Sequence, residues 1–188
     1  GVFRLADRLY GRTHEVAQVR AAYTRIREGN ELVLVSGQSG IGKSSLIAEV
    51  RQQLEASGAL FVSGKFDQYV QNIPFEGVIK SFKELVCKIS QGDVAYWKKG
   101  IMEAVGPLGQ IIIEVIPELQ QLIGRQPAFE RLSPLEAQNR FVNVFTNFIN
   151  VFTRPEHPLV IFLDDLHWAD LSSLRFLSRV THSVAGNN

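Results

Sequence analysis

The sequence predicts an α/β fold, a three-layer α/β/α arrangement around a parallel sheet with a large helical insertion. Three observations lead there. Short apolar runs at Leu32-Val33-Leu34-Val35, Leu60-Phe61-Val62 and Leu159-Val160-Ile161-Phe162-Leu163 read as strands covered on both faces, which lose polar/apolar alternation. Between the first two, Leu46, Ile47, Val50 and Leu54 recur at helical spacing. A strand, crossover helix and strand in succession form a βαβ unit, with parallel strands and a right-handed connection.

The elements follow in order. Thr13 is positioned to cap a first helix with Val16, Val19, Tyr23 and Ile26 on one face, stopped by Gly29-Asn30, so residues 1–30 read as an N-terminal linker helix. Residues 31–66 hold the βαβ unit, its helix closed by Gly58. Residues 67–155 form the helical segment. Pro74 opens a helix with Phe75, Val78, Ile79, Phe82, Val86 and Ile89 on its apolar side, Asp93 caps another through Val105, and Pro117 breaks the apolar stretch from Gly106 to Gly124. Pro134 starts a long helix with Phe141, Phe145, Phe148 and Phe152 on one side and Asn143, Asn147 and Asn150 on the other. The aromatic side reads as core, with a partner-facing surface as the alternative. Residues 156–188 supply the last strand and a helix from Leu171 to about Val180, capped by Asp170.

Composition narrows the function classes. The chain has 188 residues, enough for one domain with a core, and 20 Lys+Arg against 19 Asp+Glu, a net charge of +1. Near-neutrality argues against a general nucleic-acid binder. A single cysteine, Cys87, excludes a disulfide framework and fits a reducing, cytoplasmic compartment. It falls toward the charged side of its helix and reads as an incidental thiol. No apolar run is long enough to span a bilayer, no signal-peptide pattern opens the chain, and Gly1 in place of Met reads as an excised segment.

Gly37-Gln38-Ser39-Gly40-Ile41-Gly42-Lys43-Ser44 fits G-x-x-x-x-G-K-[ST] without mismatch, between a predicted strand and a predicted helix. The chemistry needs this spacing. The glycines let the backbone curl until its N–H groups face phosphate oxygens, and the helix starting near Lys43 points its positive end at the same place. Ser45 extends that first turn. Lys43 adds a full charge for the β- and γ-phosphates, and the Ser44 hydroxyl is a Mg²⁺ ligand. Such a loop is a P-loop, which places the chain among P-loop NTPases.

Asp164 and Asp165 end the third strand, where ligands bind in open α/β sheets. The pattern is that of a Walker B segment: Asp164 is the metal-side residue and Asp165 the candidate catalytic base. His167 reads as an orienting or packing residue, and Trp168 as packing under the end of the sheet. His14, His157 and His182 lack metal-ligand spacing with one another or with Cys87. Lys65 and Asp67 either reach a site at the sheet's edge or are ordinary solvated charges. No Asn-Lys-x-Asp guanine-reading motif occurs, so ATP/ADP is the expected nucleotide.

Tyr10-Gly11-Arg12-Thr13, the P-loop and Phe162-Leu163-Asp164-Asp165-Leu166-His167-Trp168-Ala169-Asp170 together resemble the AAA-like ATPase domains of the STAND class, signal-transduction ATPases with numerous domains. Gly64-Lys65-Phe66-Asp67-Gln68, Asn72-Ile73-Pro74-Phe75, Val115-Ile116-Pro117-Glu118-Leu119 and Pro155-Glu156-His157-Pro158-Leu159 are similar to the module in large bacterial hybrids. Those carry a serine/threonine-kinase-like domain and often GAF and histidine-kinase domains.

The resemblance implies that Tyr10, Gly11 and Arg12 line the adenine and ribose side. It also implies a regulatory switch, closed with ADP and opened by ATP and a signal for self-association, with the other domains of the same polypeptide as partners. Asp165 stands where many AAA relatives have glutamate, which implies slow hydrolysis; the alternative function is a nucleotide-occupied interaction scaffold with negligible turnover. In this branch a sensor strand lies between the P-loop strand and the Walker B strand. The chain reads as truncated after the Walker B strand and its helix. A segment of this extent is therefore expected to bind nucleotide weakly, to hydrolyse it undetectably, and to cover the open slot by pairing Leu32–Val35 with Leu159–Leu163 or by borrowing a segment from a second chain.

Overall fold

The computed structural model describes residues 12–26, 31–38, 41–69 and 74–182. Two compact units emerge, one drawn from residues 1–59 and 181–188, the other from 60–180.

The first unit pairs helices α1 (Thr13–Arg25) and α2 (Lys43–Ala56). Val16 and Ala22 of α1 are buried, as are Leu46, Val50 and Leu54 of α2. Thr13 is already helical and does not cap; the residue before the helix is Arg12, which gives no side-chain cap. The Gly29-Asn30 stop lies outside the described residues. Ser57 and Gly58 donate backbone N–H bonds to the last carbonyls of α2, and Gly58 takes φ 89°, a left-handed conformation that glycine adopts without a Cβ penalty.

One expectation fails here. Leu32–Val35 is not a strand: residues 31–38 are irregular, and Leu32 and Leu34 are 68% and 73% exposed. A strand is held by hydrogen bonds to a neighbour, and no described segment pairs with this run. Apolar content alone does not make a strand. The βαβ unit expected over residues 31–66 is therefore reduced to its helix and its second strand.

The second unit has a two-stranded parallel sheet, β1 (Leu60–Lys65) beside β2 (Leu159–Asp164), in register from Leu60 opposite Leu159 to Lys65 opposite Asp164. β2 thus pairs with β1 and not with Leu32–Val35, the first of the two expected ways to cover the open slot, and β1 runs three residues beyond the predicted Leu60–Val62. Between the strands come α3 (Glu76–Ile89), α4 (Val94–Val105), α5 (Gly109–Val115), α6 (Leu119–Ile123) and α7 (Pro134–Asn150); α8 (Leu171–His182) follows β2.

Helix boundaries have local causes. Asp93 caps α4, its Oδ1 accepting from the Tyr96 N–H at 3.1 Å, and Asp170 caps α8 through the Ser173 N–H at 2.9 Å. Pro134 opens α7, where both the N–H and the hydroxyl of Ser133 donate to Glu136. Those bonds hold the Glu136 carboxyl below its usual pKa. At α3, Pro74 lies two residues outside the helix. Phe75 precedes it at φ 66°, an unusual backbone for a bulky residue. It is held there by its N–H bond to Ser173 Oγ at 3.1 Å and by rings of Phe141 and Phe176 at 5.2 and 5.6 Å.

The core lies between α3 and α7. Phe82, Phe145, Phe148 and Phe152 have no exposed surface, and Phe82 meets Phe145 and Phe148 edge-on at 5.8 and 5.9 Å. Asn143, Asn147 and Asn150 are exposed. The aromatic side of α7 is core.

β1 and α3 meet backbone to backbone: a Cβ on Gly64 would stand 1.9 Å from the Gly77 carbonyl oxygen, and one on Gly77 would stand 2.8 Å from the Phe66 ring. Gly64→Ala is therefore expected to destabilise this unit by about 3 kcal/mol, the upper range of overpacking. Phe148→Ala should cost about 3–5 kcal/mol through a core cavity. Urea denaturation followed by tryptophan fluorescence checks both, and a Gly64→Ala midpoint equal to wild type would contradict the close approach.

Candidate functional site

The glycine-rich loop ends on Gly42 at φ 91°, a left-handed turn into α2 that costs a glycine little. Lys43 folds back across the loop, its Nζ donating to the carbonyls of Gly37 and Gln38 at 2.9 and 3.0 Å. A Cβ on Gly37 would stand 3.1 Å from Ile41 Cγ2, a tight contact that a small shift of the Ile41 side chain would have to relieve. Arg12 braces it from α1, donating through Nη2 to the Ile41 carbonyl at 2.6 Å and through Nη1 to Glu15 at 3.2 Å. The structure thus places Arg12 against the loop backbone, a contact the sequence did not disclose. Ser39, Gly40, Tyr10 and Gly11 lie outside the described residues.

The first turn of α2 holds Lys43, Ser44 and Ser45 and no acidic residue, and its N-cap, Gly42, has no side chain with which to cap it. The positive end of the helix therefore has no counter-charge in its own first turn. Ser44 and Ser45 are exposed. Bare amides, an ammonium and hydroxyls on one turn are a donor set complementary to phosphate.

The carboxylates lie in the other unit. Asp164 closes β2, and its Oδ1 accepts the Asp165 N–H at 2.9 Å. Asp165 sits at φ 51° and ψ 43°, left-handed backbone that aspartate tolerates better than most residues. Its Oδ2 lies 3.1 Å from Lys65 Nζ at the end of β1. That hydrogen bond, and then the Asp165 charge, raises the Lys65 pKa above its ordinary value; burial opposes the rise, and Asp164 and Asp67 add smaller contributions. Of the two readings for the Lys65/Asp67 pair, Lys65 reaches the carboxylates, while Asp67 turns to its own loop and accepts the Tyr69 N–H at 2.9 Å. An open cleft of about 510 Å³ adjoins Asp164 and Lys65, with Ser63 and Phe162 on the sheet and Lys80 and Glu84 on α3.

Trp168 departs from its expected place under the sheet. It is part of a short 3₁₀ turn (Leu166–Trp168), is exposed, and packs against the exposed His167 ring at 4.9 Å. The flanking Leu166 and Ala169 take the core contacts instead. Cys87 is exposed.

Mg²⁺ takes oxygen ligands and usually binds through one or two carboxylates plus phosphate oxygens, without an all-protein cage. The donors fit that chemistry. Taken separately, Ser44 of the first unit offers an exposed hydroxyl and Asp164 of the second retains an oxygen that no described hydrogen bond engages; among the described residues no group of three or more His, Cys, Asp or Glu could hold a metal ion. Among the described residues no helix is long and apolar enough to cross a membrane.

Comparison with known proteins agrees with this chemistry. A family model described as "AAA ATPase domain" matches residues 8–186. The hybrid signal transduction histidine kinase G of Dictyostelium discoideum is 33% identical over 183 residues, which cover 95% of this chain and 5% of that protein. Histidine protein kinase 1 of Candida albicans is 24% identical over 199 residues, covering 95% of this chain and 8% of that protein. Both relatives are eukaryotic, whereas the sequence resemblance pointed to bacterial hybrids. No solved structure matches. The chain therefore spans a small fraction of the length of the kinases it matches, and the family match covers nearly all of the chain: it belongs to the AAA ATPase domain family.

Proposed function

We propose that this AAA ATPase domain is a Mg-ATP-binding regulatory switch, of the STAND type, within a large signal-transduction kinase. The observation that carries the reading is the loop at residues 37–44: a complete G-x-x-x-x-G-K-S sequence ending on a left-handed Gly42, at a helix start with a lysine and no acid. In this reading Lys43 exchanges its two carbonyl partners for β- and γ-phosphate oxygens, and the amides of Gly42 to Ser45 take the remaining phosphate charge. Tyr10, Gly11 and Arg12 face the adenine and ribose, Ser44 and Asp164 hold Mg²⁺, and Asp165 accepts a proton from the attacking water. When bound, Mg²⁺ supplies charge neutralisation for the β- and γ-phosphates. Residues 31–66 and 156–188 carry this machinery and residues 67–155 are the helical insertion. ATP and ADP distinguish the two states of the switch, whose partners are the kinase's other domains and, on opening, further copies.

A second reading, a nucleotide-occupied scaffold with negligible turnover, is favoured by one observation: Oδ2 of Asp165, the proposed base, is already engaged by Lys65. Single-turnover hydrolysis of labelled ATP separates the two.

Lys43→Ala removes charge-assisted hydrogen bonds worth roughly 1.5–3 kcal/mol each, so Mg-ATP affinity is expected to fall tenfold to a hundredfold or more by calorimetric titration. Unchanged affinity overturns the P-loop assignment. In a complete domain, Asp165→Asn keeps a residue that tolerates the left-handed backbone and leaves the phosphate loop intact, so ATP affinity should hold while single-turnover hydrolysis slows. Asp164→Asn should instead weaken the Mg²⁺ dependence of ATP binding. Wild-type turnover in both aspartate variants would refute the Walker B assignment.

A further inference from the structure

The parallel register sets Lys65 directly opposite Asp164 as the last pair of the sheet, and the next residue after Asp164 carries the carboxylate that Lys65 binds. One ammonium is therefore bound to the second of two carboxylates adjacent in the chain, and its own strand position faces the first. The contact does little for stability: Lys65 is 67% exposed and Asp165 36%, and exposed ion pairs are worth little. Its electrostatic consequence is larger. Asp164 and Asp165 are consecutive carboxylates, and the Lys65 ammonium, 3.1 Å from Asp165 Oδ2 and on the residue opposite Asp164 in the ladder, is the positive group beside them. The other cation lining the adjacent cleft, Lys80, is bound to Glu76 at 2.6 Å.

We propose that Lys65 is the internal counter-ion of the Asp164–Asp165 pair and sets the affinity of these strand ends for a divalent cation. The inference rests on reading Asp164 as the metal-side residue. A dication approaching the same carboxylates meets the repulsion of an ammonium a few ångströms away, and removing that charge tightens cation binding by on the order of tenfold at a partly solvated site. The sign is diagnostic. A lysine that only braced the turn would, when lost, loosen the carboxylates and weaken cation binding.

The test is Mn²⁺ alone, titrated into the nucleotide-free protein and followed by electron paramagnetic resonance of the free ion. Lys65→Met is expected to bind Mn²⁺ about tenfold more tightly than wild type, Lys65→Arg to stay within about threefold of it, and Lys65→Met/Asp164→Asn to lose the gain. The inference is overturned by a Lys65→Met affinity equal to or below wild type, by a gain that survives Asp164→Asn, or by no Mn²⁺ binding in any variant. The Walker B reading fails separately, if Asp164→Asn leaves the Mg²⁺ dependence of ATP affinity unchanged.

Discussion

Gly64 and Gly77 let β1 and α3 meet backbone to backbone, and that contact fixes where the carboxyl end of the sheet lies. A side chain at Gly64 would push the strand off the helix backbone, and one at Gly77 would displace the Phe66 ring just beyond the strand. The register then does the rest. Because Leu60 pairs with Leu159, Lys65 must pair with Asp164, and the Lys65 side chain is delivered to the carboxylates without a loop to steer it. The charged end of the sheet is thus set by two residues with no side chains at all.

The aromatic core gives this seat its rigidity. Phe82 is surrounded by Phe145, Phe148 and Phe152, with ring centroids 5.8 to 6.0 Å away, so α3 is clamped to α7 along its buried side. Phe75 extends the cluster to α8 through Phe176, and its backbone N–H bonds Ser173 on the same helix. The helix that follows the carboxylates is therefore tied to the helix that follows β1. Large rings with few rotatable bonds reach this arrangement at low entropic cost, which is how a two-stranded sheet keeps a defined edge.

What could be read in advance follows from what is local. The α2 face, the caps at Asp93 and Asp170 and the buried side of α7 are encoded in spacings of a few residues, and each appears in the structure. Leu32–Val35 was misread because a strand is a property of a pair: its hydrogen bonds belong to a neighbour that composition does not name. The Lys65–Asp165 contact depends on register across a long connection, and the Arg12 bond to Ile41 on the packing of α1 against the loop. The Gly64–Gly77 approach had a signal, an interior glycine in a strand-like run, which often marks close backbone approach. Trp168 is expected to pack under the end of the sheet, whereas the short turn after Asp165 gives the inward positions to Leu166 and Ala169.

The left-handed backbone at residue 165 bears on which acids can stand there. Aspartate and asparagine visit that region more readily than most side chains, because their short polar groups can bond locally. Glutamate visits it less readily, and a non-glycine residue held there costs on the order of 1–3 kcal/mol of backbone strain. Aspartate and glutamate at this position therefore differ in what they ask of the backbone despite their shared charge.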